Sequence, residues 1–121
     1  MFNRASITGR LGRDPELRKT PNDVSVCSVS LACDRDYKSD GQRETDWIDC
    51  VFWRQTAEYF CRNFRKGDAV TVDGRLQMRK WIDKDGKNRS ALEIHVENVY
   101  FASRKPSVEV EEVQDDGTIP F

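Results

Sequence analysis

The stretch T-D-W-I-D-C-V-F-W-R (Thr45–Arg54) alternates as a β-strand does. Successive strand side chains point to opposite faces, so Ile48, Cys50 and Phe52 form one row and Trp47, Asp49, Val51 and Trp53 the other. The first is a core row. The second carries two indoles six residues apart, roughly 20 Å at about 3.3 Å per residue. Large aromatics are normally buried or paired, so two of them among polar neighbours need a use. Flat rings beside arginines suit unpaired bases, which stack on aromatic faces while cations follow the phosphates. The same rings would also serve a second core layer or a subunit interface, and this strand alone does not choose.

The flanking sequence supplies the rest of a small β protein. Met1–Gly12 alternates, with Ala5, Ile7, Gly9 and Leu11 inward and Arg4, Ser6, Thr8 and Arg10 outward. Asp14–Asp23 reads as a short strand between proline turns. Val24–Cys33 is a second long strand, and the polar run Asp34–Asp46 a hairpin loop with Tyr37 near its base. After Trp53 the period changes. Ala57, Phe60, Cys61 and Phe64 form one stripe of a short helix, which Lys66-Gly67 ends with a left-handed glycine cap.

Ala69–Met78 returns to period two, placing Val70, Val72, Leu76 and Met78 inward, with Gly74 marking a bend. The outward series runs through Arg75, Gln77 and Arg79 to Trp81. Asp85-Gly86 signals a hairpin, so Arg79–Ser90 reads as a long β-arm. Leu92, Ile94 and Val96 give the last core row, with Glu93, His95 and Glu97 facing solvent. Three strands, a helix and two more strands predict an all-β class: a five-stranded antiparallel oligonucleotide/oligosaccharide-binding (OB) barrel, with the helix between strands 3 and 4. That fold binds ligands on strands 2 and 3 and the adjoining loops, where Tyr37, Trp47, Trp53 and Trp81 converge. Topology therefore favours a base platform over a second core.

At 121 residues the chain is one domain, expected to span residues 1–103, followed by a disordered acidic tail, 104–121. The net charge is −1, but residues 1–102 hold 18 Lys and Arg against 16 Asp and Glu, whereas 103–121 hold 2 against 5. The tail is too polar to fold alone and ends D-D-G-T-I-P-F. Asp115, Asp116, Ile119, Pro120 and Phe121 have the make-up of a peptide ligand: anchors, acids and a terminal carboxylate. Cys27, Cys33, Cys50 and Cys61 contain no C-x-x-C pair and His95 is the one histidine, a spacing that fits no zinc site. Reduced cysteines and the lack of a signal or membrane-length apolar run predict a cytoplasmic protein. No metal or other cofactor is expected.

The chain resembles the bacterial single-stranded-DNA-binding proteins of the OB-fold homotetramer type. The likeness is carried by N-R-A-S-I-T-G-R-L-G-R-D-P-E-L-R (Asn3–Arg18), T-P-N (Thr20–Asn22), D-W-I-D-C-V-F-W-R-Q-T-A-E (Asp46–Glu58), R-K-G-D (Arg65–Asp68), D-G-R-L-Q-M-R-K-W (Asp73–Trp81) and the terminal I-P-F. It implies base stacking on Tyr37, Trp47, Trp53 and Trp81, a homotetramer wrapped by DNA, nucleoid association, and a tail that docks replication, recombination and repair proteins. Tyr37 stands where many members have tryptophan, and Trp53 where many have phenylalanine. Gly117-Thr118 interrupts the acidic run that usually precedes Ile-Pro-Phe, and the linker before it is short.

The candidate phosphate path is Arg4, Arg10, Arg13, Arg54, Arg75, Arg79, Lys80, Lys84 and Arg89, with Arg54 beside Trp53 and Lys80 beside Trp81 foremost. A protein-interaction adaptor working through its tail is a second reading. A metal nuclease using Asp46 and Asp49, or Asp83 and Asp85, is a third and the weakest. Catalytic carboxylates need a pocket and convergent partners, and Asp83 and Asp85 have the conformational role expected of turn residues. A binding protein rather than an enzyme is expected.

Overall fold

The computed structural model describes residues 1–39 and 42–103, with side chains described outside 37–43. The strands are β1 (Ala5–Leu11), β2 (Arg18–Lys19), β3 (Ser25–Ser39), β4 (Gln42–Trp53), β5 (Ala69–Ile82) and β6 (Asn88–Ser103), and α1 (Arg54–Asn63) lies between β4 and β5. Sheet order is β1-β5-β6-β4-β3-β2, and a β1–β3 pairing closes five strands into a barrel. This is the OB architecture the sequence predicts. One neighbour pair departs from the antiparallel expectation: β4 and β6 run parallel over Asp49–Val51 and Glu93–His95. A closed ring with an odd number of strands cannot alternate direction all the way round, so one parallel contact is unavoidable.

The interior is filled by the predicted rows. Leu31, Phe52, Phe60, Val70 and Val72 are fully buried, with Cys27, Cys50 and Ile94 beside them. Helix α1 plugs one end: Phe60 stacks on Phe52 with centroids 4.0 Å apart, and Phe64 follows at 5.1 Å. Truncating either member of such a stack costs about 3–5 kcal/mol. The helix starts at Arg54, which takes a left-handed φ of 55° to swing the chain straight off the strand end. Gly67 does adopt a left-handed φ of 90°, but three residues beyond the cap position, Phe64, in the turn from Arg65 to Asp68.

Three sequence expectations are corrected. The Asp34–Asp46 segment is a ribbon rather than a loop, because β3 and β4 continue pairing through Asp34↔Thr45 to Ser39↔Gln42. Polar cross-strand contacts hold it: Thr45 donates to Asp34 and Arg35 donates twice to Asp46. Leu76, Met78 and Leu92 share the predicted face but are exposed, Met78 at 51% and Leu92 at 53%. The barrel floor ends near Gly74, and beyond it β5 and β6 run on as a two-stranded arm on which Met78 and Leu92 stay exposed among the described residues. His95 points outward as expected yet is only 9% exposed, because neighbouring side chains on that face close over it.

Gly74 sits at the irregularity where β5 leaves the barrel. A Cβ there would lie 2.0 Å from the carbonyl oxygen of His95, a backbone atom that cannot swing aside. Gly74→Ala should therefore destabilise the fold by more than about 3 kcal/mol, measured as a loss of urea midpoint. Burial pushes the Cys27 and Cys50 thiols up from 9.0 to about 12. Unfolded thiols ionise near 9 while these stay protonated toward 12, so folding stability is full below that range and falls as pH rises through it. Urea midpoints at about pH 7.5 and about pH 10.5 should show the decline, and replacing both cysteines by valine should flatten it.

Candidate nucleic-acid interface

With Phe52 held inside, the period of two turns Trp47, Asp49, Val51 and Trp53 to the outer face of β4. Register extends that face sideways. Ser30, Asp49, Glu93 and Gln77 form one row across β3, β4, β6 and β5, and Ser28, Val51, His95 and Arg75 the next. Further along β5 the same face carries Arg79 and Trp81, the latter paired with Arg89. Trp47, Trp53 and Trp81 thus share one side of the barrel and its arm. Tyr37 lies on β3 in the stretch whose side chains are not described.

Each tryptophan borders a groove that also contains a cation. Trp47 is 59% exposed and lies over Gly12. A Cβ on that glycine would meet the indole at 3.0 Å, so the bare backbone is what lets the ring settle beside Arg13 and Ser30. Trp53 edges a groove of about 460 Å3 with Arg13, Ser28, Ser30, Asp49, Arg79 and Glu93. Trp81, 38% exposed, borders about 440 Å3 together with Lys80 and Arg89. Arg13 belongs to both the Trp47 and Trp53 grooves and joins them into one path.

A hydrogen bond fixes Trp53, and a guanidinium covers Trp81. The Trp53 indole N–H donates to His95 Nδ1 at 3.2 Å. Donor hydrogen and acceptor lone pair both lie in their ring planes, and the two rings are nearly parallel, 18° apart at a 6.3 Å centroid separation. An indole N–H can only donate, so Nδ1 accepts and the proton sits on Nε2, 2.8 Å from Glu93 Oε2. The other carboxylate oxygen of Glu93 faces Arg79 Nε at 3.3 Å, and the Arg79 guanidinium lies 4.1 Å from the Trp81 ring centroid. Glu93 and His95 were not legible as site residues, since their parity predicts solvent and only the β4–β6 pairing shows what faces them.

The predicted cations fall into two groups. Arg4 is tied to Asp73 and Glu97, Arg10 donates to the Gly67 carbonyl, Arg75 to Gln77, and Arg89 to Asp83. The Arg89 hydrogen bond holds the Asp83 carboxyl below its ordinary pKa, while backbone N–H groups of Asp85 and Lys87 cap it and shape the arm turn. Arg13, Arg79 and Lys80 line the grooves, and Arg54 and Lys84 are exposed. Asp115, Asp116, Ile119, Pro120 and Phe121 lie outside the described residues.

Among the described residues no three His, Cys, Asp or Glu side chains gather at a metal-sized site, and no helix is long and apolar enough to cross a membrane. What remains is a small OB barrel with a cation-lined aromatic face. Residues 2–102 match the profile of the Single-strand binding protein family, and the chain belongs to it. It is 43% identical over 108 residues to a single-stranded DNA-binding protein of Oceanobacillus iheyensis, covering 88% of this chain and 67% of that one. It is 44% identical to one of Bacillus cereus, covering 84% and 60%, and 42% identical to single-stranded DNA-binding protein A of Bacillus subtilis, covering 87% and 62%. The chain thus spans 60–67% of the length of these relatives.

Acrylamide quenching of the protein alone should follow the burial order of the rings. Trp47→Phe should remove the most quenchable emission and Trp53→Phe the least.

Proposed function

We propose that this chain binds single-stranded DNA without regard to sequence, stacking bases on Trp47, Trp53 and Trp81, with Tyr37 as a fourth ring. The observation that carries this is the pairing of each indole with a cation in a groove on one shared face. Stacking accepts any base because every base has a π-face, and arginine beside the ring meets the phosphate. The names of the family and of its relatives support the same ligand. Arg13, Arg54, Arg79, Lys80, Lys84 and Arg89 then form the phosphate path. Arg4 contributes less, being offset by Asp73 and Glu97, whereas Arg10 and Arg75 are held by neutral acceptors and keep their charge.

The working form is a homotetramer. Two features support assembly: the exposed apolar residues Leu76, Met78, Ile82 and Leu92 of the arm, and the edge of β1. Ser6, Ile7 and Thr8 pair with β5 and have no second ladder partner among the described residues. The role is protection of single strands in replication, recombination and repair in the cytoplasm, on the nucleoid. Residues 104–121 recruit partner proteins through Asp115, Asp116 and Ile119-Pro120-Phe121, a reading that rests on sequence alone.

Titration with oligo-thymidine should quench tryptophan emission, and added salt should weaken binding. Trp47→Ala and Trp53→Ala should each cost about 1–3 kcal/mol. Arg13→Ala should lower the salt slope by about 0.7, the value per phosphate for single strands. Emission left unquenched by the titration, with affinity unchanged in the tryptophan variants, would instead favour the adaptor reading.

A further inference from the structure

A carboxylate buried on the outer face of a binding sheet is costly unless each oxygen is compensated. Glu93 is 8% exposed, and its two oxygens face in opposite directions along that face. Oε2 receives the Nε2 proton of His95, which in turn takes the Trp53 N–H. Oε1 meets Arg79, which covers one face of Trp81. From these contacts we propose that Glu93 and His95 are positioning residues that seat Trp53 and Trp81 together, so that one buried carboxylate sets the spacing of two stacking rings. The inference rests on the base-platform reading above.

The chemistry makes the arrangement directional. Only a carboxylate can accept from both sides. In Glu93→Gln the amide offers one oxygen and one NH2 group. If the oxygen stays on His95, the NH2 faces the Arg79 guanidinium, donor against donor. If the oxygen turns to Arg79, the NH2 faces His95 Nε2, which must then accept. The imidazole proton moves to Nδ1 and confronts the Trp53 N–H, and that bond is lost. Either way one tryptophan loses its support, although the side chain keeps its size.

His95 can be split in the same manner. Asparagine places an acceptor near the position of Nδ1 and glutamine places its amide near that of Nε2. His95→Asn therefore keeps the Trp53 bond and drops Glu93, whereas His95→Gln keeps Glu93 and drops Trp53. Each variant is a folding control for the other.

The test uses the full chain, with 1H–15N spectra of the three indole N–H groups assigned by Trp→Phe variants, thermal melts, and oligo-thymidine affinity. In Glu93→Gln the Trp53 or Trp81 indole resonance should move while Trp47 stays. In His95→Gln the Trp53 resonance should move, and in His95→Asn it should hold. Affinity should fall about fivefold in Glu93→Gln and His95→Gln, the low end of one stacking contact, and stay within about twofold in His95→Asn. Unmoved resonances, or moved resonances with wild-type affinity, overturn the proposal. If Trp53→Ala also leaves affinity unchanged, the base-platform reading itself has failed, which separates the two failures.

Discussion

The seating of Phe52 is the constraint on which the rest of the molecule depends. Its ring lies flat on Phe60 and closes one end of the barrel. Because a strand alternates faces residue by residue, that choice commits Trp47, Asp49 and Trp53 to the outside. The apolar energy that builds the core is thus also what displays the indoles. Polar neighbours could not do so alone, since a large aromatic on a polar face gains more by turning inward unless something equally apolar already fills the interior.

Electrostatics on the outer face is local rather than global. A chain of net charge −1 has no overall excess of positive charge to attract a polyanion. The surface is sorted instead. Arg4, Arg10 and Arg89 are engaged by Asp73 and Glu97, a backbone carbonyl, and Asp83. Arg13 and Arg79 stand in the grooves beside the rings. Arg79 has a double engagement, with a carboxylate on one side and an aromatic face on the other. A planar guanidinium suits both where an ammonium would not.

Most of the fold was legible because strand period, helix stripe and turn residues agree with one another. Val70, Val72, Ile94 and Val96 are buried as their alternation predicts. The outward series Arg75 to Trp81 lies on the outer face of β5 shared with Trp53, as its alternation predicts. What sequence could not give depends on contacts between distant strands. Met78 and Leu92 alternate like core residues, but alternation does not tell where a barrel floor ends. Glu93 and His95 alternate like solvent residues, and their burial follows from lying beside Asp49 and Val51 across the one parallel contact. The polar run at Asp34–Asp46 looked like a loop because its pairing rests on hydrogen bonds and ion pairs, which leave no hydrophobic period.

The chain from Trp53 through His95, Glu93 and Arg79 to Trp81 also makes the two ends of the face accountable to each other. Free energy of coupling is reciprocal: whatever occupancy at Trp81 does to the seating of Trp53, occupancy at Trp53 does in equal measure to Trp81. On the proposed platform reading, two rings linked in this way would act as one unit rather than as independent sites, the first occupant meeting an ordering cost that the second is spared.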